Sequence, residues 1–478
     1  MKGALSNKVV FWLSFASILP VTVAARYFEN GWLFALPLLI LLGSMAWDKP
    51  QWLMGLLLLS LPLSIEYSFS ASLGTDLPDE PLMVLLASLS VFYILYRGRP
   101  FASTLWHHPL FICFIGWMLW MTIVSLVSTT PWLSIKFMLA KTWYTGAFFL
   151  APLIWLRTAA SIRRSMYLLF VPLVLLALIT LIRHAFSGFS FITASEVVQP
   201  YFRNHVVYSA MLVTLVPVLY FSRPYTKWKP IWDLAMIIVL LALFFSYARG
   251  AWLALFVGAF AYLLLRNKLL IYGYVVGLLL TGLTIVWLKY DDRYLDYAPD
   301  YRTTIFHSDF SDHWQATYQG KDVSSVERFY RWIAGVRMIE ERPLTGFGPA
   351  SFYSSYRPYT LPAYKTWVSN NPDRSTVHNY FLLVAVEQGI PGLLLFLLLL
   401  GAIFYYAERI YNQGATGGQG LFAAGIAVVV VMLGVVNFWS DLIETDKIGS
   451  LFFLSISLLL IIDRDRSVGA PSDIERIA

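Results

Sequence analysis

Three side chains in this sequence combine the right chemistry with a conspicuous place. Arg249 lies in Phe245-Ser246-Tyr247-Ala248-Arg249-Gly250, between two apolar runs, and Arg203 lies in Tyr201-Phe202-Arg203-Asn204-His205, just ahead of another. A guanidinium is a planar fork of donors that matches phosphate oxygens two at a time. Inside hydrocarbon an arginine costs about 2.5–3.5 kcal/mol, so it requires a wet or anionic surrounding. His378 stands in Thr376-Val377-His378-Asn379, and histidine is the side chain best suited to taking a proton near neutral pH. Two guanidinium groups and an imidazole facing one compartment can hold a diphosphate and move a proton. The plainer reading of each arginine is an interfacial anchor at a helix end. His205 competes for the base role, its plainer reading being a hydrogen-bonded interfacial histidine. Arg328, Arg331 and Asn379 complete the candidate substrate ligands, with solvated or salt-bridged arginines as the alternative. Glu387 is an interfacial carboxylate nearby.

Other chemistries find no support. There is no Ser/His/Asp arrangement, no zinc spacing and no Walker motif, which argues against an ATP-driven pump. Asp291, Asp292, Asp296 and Asp300 could gather a divalent ion, but their spacing matches no EF-hand and a solvated juxtamembrane segment explains them. The expected site therefore uses no metal and no cofactor. The single cysteine, Cys113, lies inside an apolar run and permits no intrachain disulfide.

The elements that must position these residues are membrane spans. Of the 478 residues 58% are hydrophobic and 13% charged, against about 25% charged in soluble proteins. Repeated charge-free stretches approach the ~20 residues that cross a hydrocarbon core. We count 14 candidate spans, centred near residues 17, 38, 57, 88, 118, 148, 174, 213, 238, 257, 279, 398, 429 and 455. Several are short, so the expected fold is an all-α polytopic membrane protein of about 12–14 transmembrane helices. The first run follows Lys2 and Lys8 without a cleavage site and reads as a retained span. The 18 Trp and 28 Tyr fit interfacial belts.

With 14 spans both termini share a side. That side's connections and termini carry 17 Lys and Arg, the opposite short connections 7. The bias places both termini in the cytoplasm, and Arg203, Arg249 and the 290–376 loop outside it. The net charge of +7 reflects this bias and does not suggest nucleic acid, because the basic residues gather on no one face. The organisation read from the chain is 1–200 N-terminal spans, 201–289 spans carrying the arginine motifs, 290–390 a large extracytoplasmic loop with the histidine, 391–463 C-terminal spans and 464–478 a cytoplasmic tail.

Within the loop, Ser324-Ser325-Val326-Glu327 fits a capping box. Val326, Phe329, Ile333, Val336 and Ile339 then recur at helical spacing, predicting an amphipathic helix that Arg342-Pro343 ends. Gly346-Phe347-Gly348-Pro349 predicts a turn, and as a phosphate loop it is a poor candidate because it follows no strand. The apolar piece from His378 to Glu387 is too short to span before Gly389 and Pro391 break it. It is expected at the interface, leading into a span at 391–407.

Three passages resemble the bacterial O-antigen ligase and polymerase superfamily. They are Ser246-Tyr247-Ala248-Arg249-Gly250-Ala251-Trp252-Leu253-Ala254, then Arg342-Pro343-Leu344-Thr345-Gly346-Phe347-Gly348, then His378-Asn379 with Glu387-Gln388-Gly389-Ile390-Pro391-Gly392. The resemblance covers about residues 200–440 and is specific for the superfamily more than for a member. It implies a fold related to the C-type (GT-C-like) membrane glycosyltransferases and an active site on the periplasmic side of the bacterial inner membrane. It implies a donor glycan on undecaprenyl diphosphate and metal-independent, inverting transfer. In the ligases two arginines bind the donor diphosphate and a histidine in the large loop region activates the acceptor hydroxyl. Arg249 and His378 stand at the matching motif positions, and Arg203 is the second arginine. Transfer to lipid A–core is the leading expectation. A polymerase extending the glycan on its carrier, transfer to a protein hydroxyl, and a transporter or flippase are the alternatives.

Overall fold

A computed structural model describes residues 49–467, apart from 71–72, 99–100, 102, 157–158, 298–322, 367–368, 372–373 and 414–417, together with a few of the first 48 residues. The expected spans near residues 17 and 38 and residues 468–478 of the expected cytoplasmic tail lie outside the described stretch, as does Asp300.

The chain is an all-α polytopic membrane protein. Each of the remaining twelve expected spans is a helix. They are α1 (Pro50–Ser60), α2 (Asp79–Arg97), α3 (Pro109–Leu126), α4 (Pro131–Trp155, with a π-helical turn at Gly146–Leu150), α5 (Ala159–Phe186), α6 (His205–Ser222), α7 (Lys229–Phe244), α8 (Arg249–Arg266) and α9 (Leu270–Lys289). The loop helix α10 (Val323–Glu341) follows, then α11 (Tyr380–Gln413), α12 (Gly418–Phe438) and α13 (Asp446–Ser467). Nine helices among the described residues are long and apolar enough to cross a membrane. The spanning positions of α1 and α7 fall short of that length, and α13 ends in Asp463-Arg464-Asp465-Arg466. The only strands described are the antiparallel hairpin β1 (Ile65–Ser70) and β2 (Leu73–Leu77).

Lipid tails are as apolar as leucine, so the spans are held by close packing and hydrogen bonds. Helix α12 supplies the centre. Its Gly, Ala and Val residues let α6, α8, α11 and α13 come close, and most of its side chains are buried. Helix α9 is held chiefly near its start. The Glu408 carboxylate of α11 accepts the Leu270 and Ile271 amides at 3.0 and 3.4 Å, capping its orphan donors. Tyr274 Oη donates to Leu397 O at 2.7 Å.

Among the described residues the connections fall into two sets. In one set His108 Nε2 lies 3.1 Å from Asp463 Oδ2, and Arg223 pairs with Asp233 across the α6–α7 connection. The other brings together the β-hairpin end, the α3–α4, α5–α6 and α7–α8 turns, the long loop and the α12–α13 connection. Thr129 N donates to Phe347 O at 2.9 Å, Tyr247 Oη to Phe189 O at 2.6 Å, and Lys447 Nζ to Ser64 O at 2.9 Å. This is the alternation that even spacing of spans requires, and it puts Arg203, Arg249 and His378 on one face.

Candidate active site

His378 sits in a clamped strap, residues 376–380. Behind it stands α10, where Arg331 Nη1 donates to Thr376 O at 3.1 Å and Trp332 Nε1 to Val377 O at 3.0 Å. In front stands the α12–α13 connection, where Ser440 O accepts the Tyr380 amide at 3.0 Å and Asp441 Oδ2 accepts the Thr376 hydroxyl. So held, His378 adopts a left-handed backbone, φ 53°, which a β-carbon normally disfavours and surrounding contacts must enforce. Its Nδ1 lies 3.8 Å from Asp441 Oδ1, the imidazole 35% and the carboxylate 19% exposed. Burial alone would raise the Asp441 carboxyl, but the His378 imidazole and the Thr376 hydroxyl outweigh it and hold the group below the usual carboxylate range. At that distance the contact is electrostatic and longer than a hydrogen bond; drawn closer, a carboxylate at Nδ1 would orient the ring and leave Nε2 to accept a proton.

The strap leads into α11, which breaks at Gly389 with φ 71° and ψ 178°. The expected interruption before Pro391 is therefore present, and the turn Gly346–Pro349 packs into it. Four of the freed backbone groups find partners, as burial favours. Pro343 O accepts Ile390 N at 2.7 Å, Gln388 O accepts Trp120 Nε1 at 2.9 Å, and Val386 O and Glu387 O accept Phe347 N and Gly348 N at 3.0 and 2.9 Å. The turn's amides are thus committed to protein carbonyls and form no phosphate cradle. Glu387 turns inward, its carboxylate accepting Ala350 N at 2.9 Å and Phe352 N at 3.1 Å.

On the arginine side, Arg249 occupies the first turn of α8, half-buried, and Arg203 is exposed three residues past the cis Gln199–Pro200 bond. His205 begins α6 with Nδ1 2.7 Å from Ser195 Oγ, and Arg249 lies within electrostatic reach of it. Tyr247 joins the two turns through Phe189. The α12–α13 connection then links this side to the histidine: Lys447 Nζ donates to Tyr201 O and sits 4.8 Å from the Phe202 ring centroid. The buried Lys141 braces the connection from α4, 2.8 Å from Glu444.

Other expected ligands are spent elsewhere. Arg331 is 5% exposed and pairs with Glu327 at 3.3 Å. The Ser324 side chain of the expected capping box lies outside the described residues; the other Glu327 oxygen accepts the Thr366 and Ser369 hydroxyls. The most buried face of α10 is accordingly Val326, Tyr330, Ala334 and Met338, a rotation from the expected stripe that lets Glu327 and Arg331 face inward too. Phe329, Ile333 and Ile339 pack at its margin. Asn379 Oδ1 accepts Leu382 N at 3.0 Å, a helix cap. Arg328 is half-buried on α10. Among the described residues no group of three or more His, Cys, Asp or Glu could hold a metal. Asp441 was not singled out from sequence. Its signal was a polar run, Ser440-Asp441 to Asp446-Lys447, between two apolar spans.

No curated protein matches the chain. Residues 234–397 match the family model described as O-antigen ligase. That stretch runs from α7 past the break in α11 and includes both Arg249 and His378. Residues 234–397 are thus similar to the O-antigen ligase and polymerase superfamily, a glycosyltransferase-type enzyme family.

Proposed function

We propose that the protein transfers a glycan from undecaprenyl diphosphate to an acceptor hydroxyl, with lipid A–core as the acceptor, on the periplasmic side of the bacterial inner membrane. Both termini then lie in the cytoplasm. The observation that carries the proposal is the His378–Asp441 pair, on the same face as Arg249 and Arg203. The acceptor oxygen attacks the anomeric carbon and His378 Nε2 takes its proton. The bond from that carbon to the diphosphate oxygen breaks, and its electron pair leaves with undecaprenyl diphosphate. Attack opposite the leaving group inverts the anomeric centre. Arg249 and Arg203 meet charge that grows on the diphosphate as the bond breaks, so they favour the transition state over the ground state. Asp441 orients the imidazole and offsets the positive charge it acquires. Arg331 serves from behind the strap and Asn379 within it, and no step requires a metal.

The test is transfer by purified protein in detergent, with no ion gradient. Glycan on undecaprenyl diphosphate is offered together with lipid A–core or a second copy of the lipid-linked glycan. Product on lipid A–core is expected. Longer glycan still on the carrier would make the protein a polymerase using the same residues. No consumption of donor with either acceptor would refute the proposal and leave transfer to protein or transport.

A further inference from the structure

The α12–α13 connection, residues 439–445, and the first turn of α13 touch both halves of the site. At one end Asp441 faces His378. At the other, Lys447 on the first turn of α13 is 5% exposed. Its ammonium donates to Ser64 O at 2.9 Å and to Tyr201 O, and lies 4.8 Å from the Phe202 ring. Arg203 is the next residue. The connection is stiff between these ends. Ile443 N donates to Asn437 Oδ1 at 2.9 Å, Glu444 N to Asp441 O at 3.0 Å, and Thr445 N to Leu442 O at 2.9 Å. Lys141 anchors its middle through Glu444.

A buried ammonium is costly unless its three donors and its charge are answered. Here two carbonyls and an aromatic face answer the donors, and the carboxylates of Asp446, Asp79 and Asp76 lie within electrostatic reach. Had the lysine only to neutralise those carboxylates, it would not need a carbonyl from the α5–α6 loop. Its bond to Tyr201 O fixes the backbone two residues before Arg203. That guanidinium is exposed, so its place depends on where its own backbone is held.

We infer that Lys447 is a positioning residue for the donor side of the site: it holds the Tyr201–Arg203 backbone so that Arg203 meets the donor diphosphate at a set distance from His378. The inference rests on the transferase reading above. Through one rigid connection the protein sets the spacing between the group that takes the proton and the groups that take the leaving charge.

The experiment compares wild type, Lys447→Met and Lys447→Arg as purified full-length protein. Donor and acceptor concentrations are varied separately in the transfer assay. Expected for Lys447→Met is a donor KM raised about tenfold with acceptor KM within about twofold of wild type, the split that marks lost donor positioning. Lys447→Arg should recover most of that loss, since it keeps the charge and donors. An unchanged donor KM would overturn the inference, and so would equal losses against both substrates that Lys447→Arg does not relieve. Should Lys447→Met fail to fold, Phe202→Leu decides, because it removes the ring but keeps every charge; a donor KM raised about threefold is expected, and no change contradicts. If wild type itself transfers nothing, the transferase reading has failed. If wild type transfers and Arg249→Ala loses donor while Lys447→Met does not, only this inference has failed.

Discussion

His378 depends on partners far away in sequence. Asp441 lies on the connection to the last span, and Arg331 and Trp332 lie on the loop helix. Asp441→Asn keeps the shape but loses the charge that stabilises a protonated ring. Transfer should fall by about 10²–10⁴ with donor binding retained, as when a histidine loses its orienting carboxylate; turnover near wild type would remove Asp441 from the mechanism. A second residue-scale expectation concerns Asp76 at the hairpin. Burial first, then the Asp446 carboxyl, push it from 3.8 to about 7. Across that window the native state keeps a proton that the unfolded chain has lost, so stability falls as pH rises from about 4 through about 7. The unfolding midpoint should drop between about pH 5 and about pH 8, and Asp76→Asn should flatten that drop. A slope unchanged in the variant would contradict it. At this scale Arg249 and His378 stood out as candidates because charge at the edge of an apolar run is conspicuous. Asp441 was not, because nothing in sequence joins it to residue 378. Arg331 was legible as a charge but not as a buried one.

The element that shapes the site is the break in α11. A β-carbon at Gly389 would stand 2.2 Å from Leu344 O and 2.9 Å from Pro343 O, at a φ of 71°. At Gly346, φ 64°, it would stand 2.5 Å from Val386 O. Neither the turn nor the break can yield without losing the other's hydrogen bonds. Gly389→Ala should therefore cost more than about 2 kcal/mol, from positive-φ strain and the backbone clash together. Loss of monodisperse protein on size exclusion is the expected readout, and a wild-type profile would show that the two segments are not locked. The break was readable from Gly389 and Pro391, since these residues cannot continue a helix in register. The partner that fills it was not, because the Gly346–Pro349 turn reads equally well as a solvent-exposed bend. The face of α10 was misjudged for a related reason. Hydrophobic spacing marks apolar positions only, and here an ion pair shares the buried side.

At the scale of the whole molecule, the connections segregate into two groups, and every candidate catalytic residue belongs to one of them. Span positions were legible because bilayer thickness imposes a length that composition reveals. How the helices pack was not, since small-residue contacts such as those of α12 leave no periodic signature of their partners. The proposed orientation has a direct check. In a chain lacking Cys113, a cysteine placed at Leu344, 69% exposed, should react with a membrane-impermeant thiol reagent in spheroplasts. One placed at Trp228, also 69% exposed, should react only after permeabilisation. The reverse pattern would invert the molecule. Treatment with EDTA should leave transfer intact, and a clear loss would revive a metal role for Asp291, Asp292 and Asp296. The most direct measurement separates donor binding from turnover in Arg249→Ala and His378→Ala. Both proteins would be purified and tested for undecaprenyl diphosphate binding and for glycan transfer. Expected is loss of both in Arg249→Ala, and loss of transfer with binding kept in His378→Ala. Equal loss of binding in the two, or full transfer by either, would contradict the division of labour between a leaving-group clamp and a base.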